Sequence, residues 1–424
     1  MFQINNSDKK YNFIDLFAGA GGLSEGFFQC GFNPIAHVEM NPYAIQTLET
    51  RTCYYYLKST NQLSIYYLYL NGTISREQLL AAVPSDALRT VIQAELSDKT
   101  LSWVFAEIDA ILEEDKVTEV DAIIGGPPCQ AYSLVGRAQS SHMEIPMDQD
   151  PRNNLYLLYA RFLKRYSPRI FVFENVIGIT SAADGAIWRN VKAQLKRVGY
   201  EIECREQNAV NFGVLQNRRR MIIVGWRKNS GLCYPDFKKV HVNAIVNDLL
   251  QDLPSLIPGQ EKKNYSHIAM SEYVHNFEIR TDADVLTHHI SRPNKERDIA
   301  IYRRAIELWN KGHLRLNYND LPKHLQTHRN RTSFTDRFKV IEGDMPSCHT
   351  VLAHLSKDGH YFIHPDIKQH RSLTVREAAR LQSFPDNYFF EGPRTAQFIQ
   401  IGNAVPPLMA RGIAEGIIHQ LEQE

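Results

Sequence analysis

The chain of 424 residues is 43% hydrophobic and 22% charged, with a formal net charge of +1. This composition supplies a core for one large and one smaller domain, and it excludes a disordered chain or a uniformly basic polyanion binder. No apolar span reaches membrane-crossing length, and six scattered cysteines (30, 53, 129, 204, 233 and 348) exclude a disulfide framework or a metal cluster of ordinary spacing.

The opening residues carry no charged-then-apolar leader, so a reduced, cytoplasmic setting is expected, with no metal and no membrane. Residues 12–17 read as a short apolar strand. Ala18-Gly19-Ala20-Gly21-Gly22 follows, and then Leu23 to Cys30 with helical spacing. Strand, glycine turn and helix form the ligand loop of a doubly wound α/β sheet, where the backbone admits a ligand and the helix start favours an anion. Pro34 to Val38 is a second strand ending in Glu39, an acid twenty residues after Gly19 that suits a ribose diol. Residues 51–105 read as an insertion, rich in tyrosine early and helical from Arg76 to Leu96 with a break at Pro84.

Val120 to Ile124 is a buried strand, and it runs into Gly125-Gly126-Pro127-Pro128-Cys129-Gln130-Ala131-Tyr132-Ser133. A thiol on a rigid Pro-Pro step is thereby held at a strand's carboxyl edge, where open α/β sheets keep their chemistry. An isolated cysteine is ordinarily a packing residue. Here it is joined by Glu174, which ends the strand Ile170 to Phe173, and by Arg218, Arg219 and Arg220 ahead of the strand Met221 to Gly225. A nucleophile, an acid and cations at one sheet edge point to a site. Residues 236–385 are polar, rich in histidine and without a βα rhythm, and residues 395–424 return as helix.

These segments resemble the DNA (cytosine-5)-methyltransferases of prokaryotic restriction-modification and defence. The match runs through Asp15 to Gly22, Gly126 to Ser133, Glu174-Asn175-Val176, Gln216 to Arg220, Arg371 to Pro385 and Gly402 to Pro406. The resemblance implies a Rossmann-like S-adenosylmethionine-dependent sheet in residues 1–235, with the insertion 51–105. It also implies a smaller target-recognition domain in 236–385, and a segment 386–424 that returns to the catalytic domain. By the same resemblance Cys129 is the nucleophile that adds to cytosine C6. Glu174 presents a proton to ring N3, which a buried glutamate suits. Arg220 contacts the base and Arg218 supports the glutamate. S-adenosyl-L-methionine would be held by Phe17, Ala18, Gly19, Gly21, Gly22, Glu39, Met40, Pro127, Leu155 and Asn403, with Glu107 and Ile108 standing where the family's third motif is expected.

The implied substrate is duplex DNA, from which the target base must be flipped out. Gln130, Ser133 and Arg137, in the segment from Gln130 to Arg152 expected to close over the base, would contact it. Between His288 and Val340 there are 12 Lys/Arg against 5 Asp/Glu, a local excess of +7 that suits phosphate contacts by Arg329 and Arg331. A monomer is expected, with a cognate nuclease or other defence proteins as further partners. A tRNA cytosine-5 methyltransferase shares these motifs and is the main alternative. A catalytically idle relative conflicts with the presence of Cys129, Glu174 and Arg220. A nicotinamide dehydrogenase, suggested by the glycine loop alone, has no place for Pro-Pro-Cys-Gln.

Overall fold

The computed structural model describes residues 11–127 and 155–423. Period-two alternation builds its central sheet. In β1 (Tyr11–Leu16), Tyr11 and Phe13 enter one apolar core, and Ile14 and Leu16 enter another on the opposite face. β4 (Ala122–Gly125), β5 (Ile170–Asn175) and β7 (Arg219–Arg227) divide their side chains in the same way: Ile124, Val172 and Val224 lie on one face, Ile123, Phe171 and Ile223 on the other. With β2 (Phe32–Glu39), β3 (Val91–Gln93) and β6 (Tyr200–Asn208) they form a seven-stranded sheet of order β3-β2-β1-β4-β5-β7-β6. All pairings are parallel except β5 with β7 and β6 with β7.

Helices cover both faces. α1 (Gly22–Gln29) packs against the last helix, α13 (Pro407–Leu421), so closely that a Cβ on Gly26 would lie 2.3 Å from the Arg411 nitrogen. The end of the chain thus completes the core that its beginning starts. The other face is covered by α6 (Leu101–Glu114), α7 (Leu155–Tyr166) and α8 (Ala186–Arg197).

The expected insertion is shorter than residues 51–105. α2 (Pro42–Ser59), N-capped by Asn41, is the crossover helix after β2. Only α3 (Leu63–Leu70), α4 (Arg76–Ala81) and α5 (Ser85–Leu88) are added, and the tail of the helix expected over Arg76–Leu96 is strand β3. A strand of three residues is too short to show its own periodicity. The added helices have a small core of Tyr66, Leu70, Leu79 and Ala87. The hydroxyls of Tyr66 and Tyr69 donate to the Asn387 carbonyl (2.8 Å) and the Glu391 carboxylate (2.7 Å), which braces α3 against the C-terminal third of the chain.

Residues 236–385 contain isolated β-bridges but no named strand among those described. α9 (Glu272–Asn276) and α11 (Val375–Leu381) are short, and α10 (Glu296–Gly312) carries its own core with Tyr318, Phe338 and Ile363. α12 (Arg394–Asn403) leads back to the sheet. No helix among the described residues is long and apolar enough to cross a membrane.

Candidate active site

β1 pairs with β2 on one side and β4 on the other, so the sheet's topological switch point lies between β1 and β4. Ligands of open α/β sheets bind outside the carboxyl ends of the strands at that point. The loop after β1 is shaped for this. Phe17, Gly19 and Gly21 have φ of +59°, +56° and +78°. Nothing lies within 4 Å of where a Cβ on Gly19 would be. Glu39, at the end of β2, turns back to the loop: its Oε2 accepts the Gly19 N–H at 2.8 Å, and its Oε1 accepts those of Met40 and Asn41 at 2.9 and 2.8 Å. Phe17 is partly buried against the sheet core, Ala18 is buried and Met40 is exposed. Leu155 packs against the same core at the start of α7, and Asn403 is exposed at the end of α12. Gly22 serves packing as well, since a Cβ there would lie 2.3 Å from the Val405 carbonyl oxygen.

Glu107 and Ile108 do not share this edge. Both lie within α6, and Ile108 is fully buried in the core. The carboxyl end of β3 is held beside Glu39 by the Ala94 N–H, which donates to the Glu39 carbonyl at 2.8 Å. Ala94-Glu95-Leu96 therefore occupies the strand-end position that was expected at 106–108. The signal for it was the β-branched pair Val91-Ile92 just before.

The second half of the site lies across β4, β5 and β7. Because β7 runs antiparallel to β5, its first residues reach the carboxyl edge of β5, with Asn175 opposite Met221. Arg220 Nε is 2.8 Å from Glu174 Oε1, in an ion pair whose side chains are 12% and 13% exposed. Gly126 passes directly beneath, where a Cβ would sit 2.9 Å from Glu174 Oε2. The Asn175 side chain donates to the Pro127 carbonyl at 3.3 Å, tying Pro127 to the end of β5. Cys129, Gln130, Ser133 and Arg137 lie outside the described residues.

Arg218 acts otherwise than expected. It is fully buried, and its Nη atoms donate to the carbonyls of Val351 (2.8 Å), Gly402 (3.0 Å) and Ala404 (2.8 Å) rather than to Glu174. Burial, with Arg220 nearby, pulls its pKa well below the usual arginine range. It joins the strand to two later segments of chain. Arg331 also differs from its expected outward role: it donates to the Gln326 side chain (2.5 Å) and carbonyl (3.0 Å). Arg329 is exposed. Burial pushes the thiols of Cys30, Cys53 and Cys204 up to about 12, and that of Cys348 well above its ordinary value. None of these four is suited to react as a thiolate. Among the described residues no group of side chains could hold a metal ion.

The sheet order and its antiparallel last strand define an S-adenosylmethionine-dependent methyltransferase fold. The family model of C-5 cytosine-specific DNA methylase matches residues 11–84 and 93–419, and the chain belongs to that family. It is 43% identical to the type II methyltransferase M.Bpa9945I of Bacillus paralicheniformis, over 95% of this chain and 98% of the relative. It is 30% identical to M1.HphI of Haemophilus parahaemolyticus, over 96% and 86%. Among solved structures, a protein described as a prophage-encoded DNA modification methyltransferase (E. coli) aligns with a TM-score of 0.60 at 22% identity, over 97% of this chain and 100% of that one. The chain is thus a DNA (cytosine-5)-methyltransferase.

Proposed function

We propose that the enzyme transfers a methyl group from S-adenosyl-L-methionine to C5 of a cytosine in a specific duplex sequence, as the modification arm of a restriction-modification or phage-defence system. One observation carries this reading: the Glu174–Arg220 pair sits beside Gly126 and is tied through Asn175 to Pro127, two residues before Cys129. The glycine loop and Glu39 fit an adenosyl group. Glu39 offers carboxylate oxygens for a ribose diol, and the open space at Gly19 lets a ligand approach the backbone. Phe17, Ala18, Gly21, Met40, Glu95, Pro127, Leu155 and Asn403 complete this proposed lining. The bound cofactor supplies an electrophilic methyl group.

The chain's own residues prepare the base. The thiolate of Cys129 adds to C6 and forms a C–S bond while Glu174 gives a proton to N3. Arg220 holds Glu174 in place from the side. The electron density released at C5 makes that carbon nucleophilic. Once C5 carries the methyl group, N3 returns its proton to Glu174, C5 gives its proton to water, and the electron pair left behind expels Cys129 as a thiolate as the C–S bond breaks. The target base must leave the duplex to reach this edge.

The test is expression in a host that lacks cytosine methylation, followed by bisulfite sequencing of its plasmid. Protection of cytosines at one recurring sequence is expected, and none with Cys129→Ser. Uniform conversion with the folded wild-type enzyme would refute the proposal. A duplex carrying 5-fluorocytosine at the mapped site should trap a covalent complex, since fluorine does not leave as a proton does.

A further inference from the structure

Phe334 stands outside the small core built on α10. It is 61% exposed, and its φ of +56° is a left-handed conformation that bulky residues rarely adopt. The surrounding loop holds it there. Buried Arg337 donates from Nε to the Phe334 carbonyl at 2.9 Å, and from Nη2 to the carbonyls of Asn330 (3.0 Å) and Ser333 (3.3 Å). Its guanidinium lies over the Tyr318 ring at 4.3 Å, and that of Arg331 over the same ring at 5.2 Å. Asn330 Oδ1 accepts the N–H groups of Thr332 and Ser333 at 3.1 and 3.0 Å. Arg337 thus fixes the loop through its carbonyls and Arg331 anchors it on Gln326 and Tyr318, while Arg329, Asn330, Thr332 and Ser333, close to Phe334 in the chain, are exposed polar or cationic residues.

A single aromatic ring on a polar, cationic loop suits a partner with flat apolar faces and anionic edges. A protein partner would call for a wider apolar patch. Stacked bases between phosphates offer both features. We propose that Phe334 is a wedge that stacks on a base of the target duplex, with Arg329 against the neighbouring phosphate. This rests on the enzyme reading above. A backbone already fixed in place loses little freedom on insertion, so more of the stacking energy goes into binding.

The test compares Phe334→Asn, which tolerates the left-handed backbone, with Phe334→Trp, which keeps a ring. Binding is measured, without turnover, to a plasmid-derived duplex carrying the methylated sequence. Phe334→Asn should bind about 5- to 150-fold more weakly, the range of one base–aromatic stack. Its melting temperature and cofactor affinity should not change. A mismatch within the site should restore its binding, because the bases there are already unstacked. Phe334→Trp should bind like the wild type. Equal binding by wild type and Phe334→Asn, or equal loss on matched and mismatched duplexes, would overturn the wedge. Absence of methylation by the wild type would strike the enzyme reading instead, since the wedge is read from binding alone.

Discussion

In the sheet, Ile123, Phe171 and Ile223 are buried in one apolar core and Ile124, Val172 and Val224 in the other, and these two cores, fed by alternating side chains, hold the strands. In residues 236–385, Arg371, Arg376 and Arg380 lie just as deep. Arg371 grips Glu377 with two bonds of 2.7 and 2.6 Å, and Arg380 binds Asp386 and Asp252. Arg376 donates to the carbonyls of Pro385 (3.1 Å) and Tyr388 (3.0 Å). A region without strands has few regular partners for its backbone, and buried guanidinium groups supply donors for those carbonyls. The motif from Arg371 to Pro385, matched to the family as a unit, is thus a structural joint. Sequence motifs of one family can mark chemistry in one half of a molecule and assembly in the other.

The comparison is tested most severely by Cys129→Ser. If the chemistry belongs to the sheet half and binding largely to the other, methyl transfer should fall to background while duplex affinity stays near wild type. Loss of both would merge the two roles. Glu174→Gln should slow the transfer step about 100- to 10,000-fold in single turnover at saturating cofactor. Unchanged transfer would reduce Glu174 to a partner of Arg220.

Stability should separate the halves as well. Glu377→Ala leaves Arg371 buried without its carboxylate and should cost about 3–5 kcal/mol in urea unfolding. Replacing both residues with methionine should recover most of that loss. Ile123→Ala should cost about 2–5 kcal/mol, with no charge partner whose removal could compensate. Failure of the double variant to recover would mean that the ion pair does more than satisfy itself.

Acid should act on residues 236–385 first. Burial holds the folded pKa of His364 at about 3 against 6.5, so its contribution is complete above 6.5 and is lost as pH falls toward 3. For Glu342, burial works upward, but the hydrogen bond and charge of His349 outweigh it and hold the group at about 2 against 4.5. Its contribution is therefore lost as pH falls below 4.5. Peptic digestion at pH 4 should cut within 236–385 before the sheet. The smallest effect belongs to Arg329→Ala, which should lower the slope of log affinity against log salt by about one. Arg331→Ala should instead lower the melting temperature, because its guanidinium is spent on Gln326 and Tyr318.

Strong local patterns made much of this protein legible in its sequence. β1 is an apolar run just ahead of a glycine turn, β2, β4, β5 and β7 are apolar runs ending in glycine or in polar residues, and the chain order of Gly19, Glu39, Cys129, Glu174 and Arg220 carried the reading of the site. Tertiary structure decided what had no local signature. β3 is three residues long, and β6 has charged residues on an edge that half faces water, so neither stands out as a strand. Glu95, rather than Glu107, follows the end of a strand beside Glu39 because β3 pairs in register with β2. A sequence records that arginines are present, but not whether Arg218 meets a carboxylate or three carbonyls from distant parts of the chain. That choice is made only when Val351, Gly402 and Ala404 converge on it, since a buried guanidinium must be satisfied by whatever the fold brings within reach.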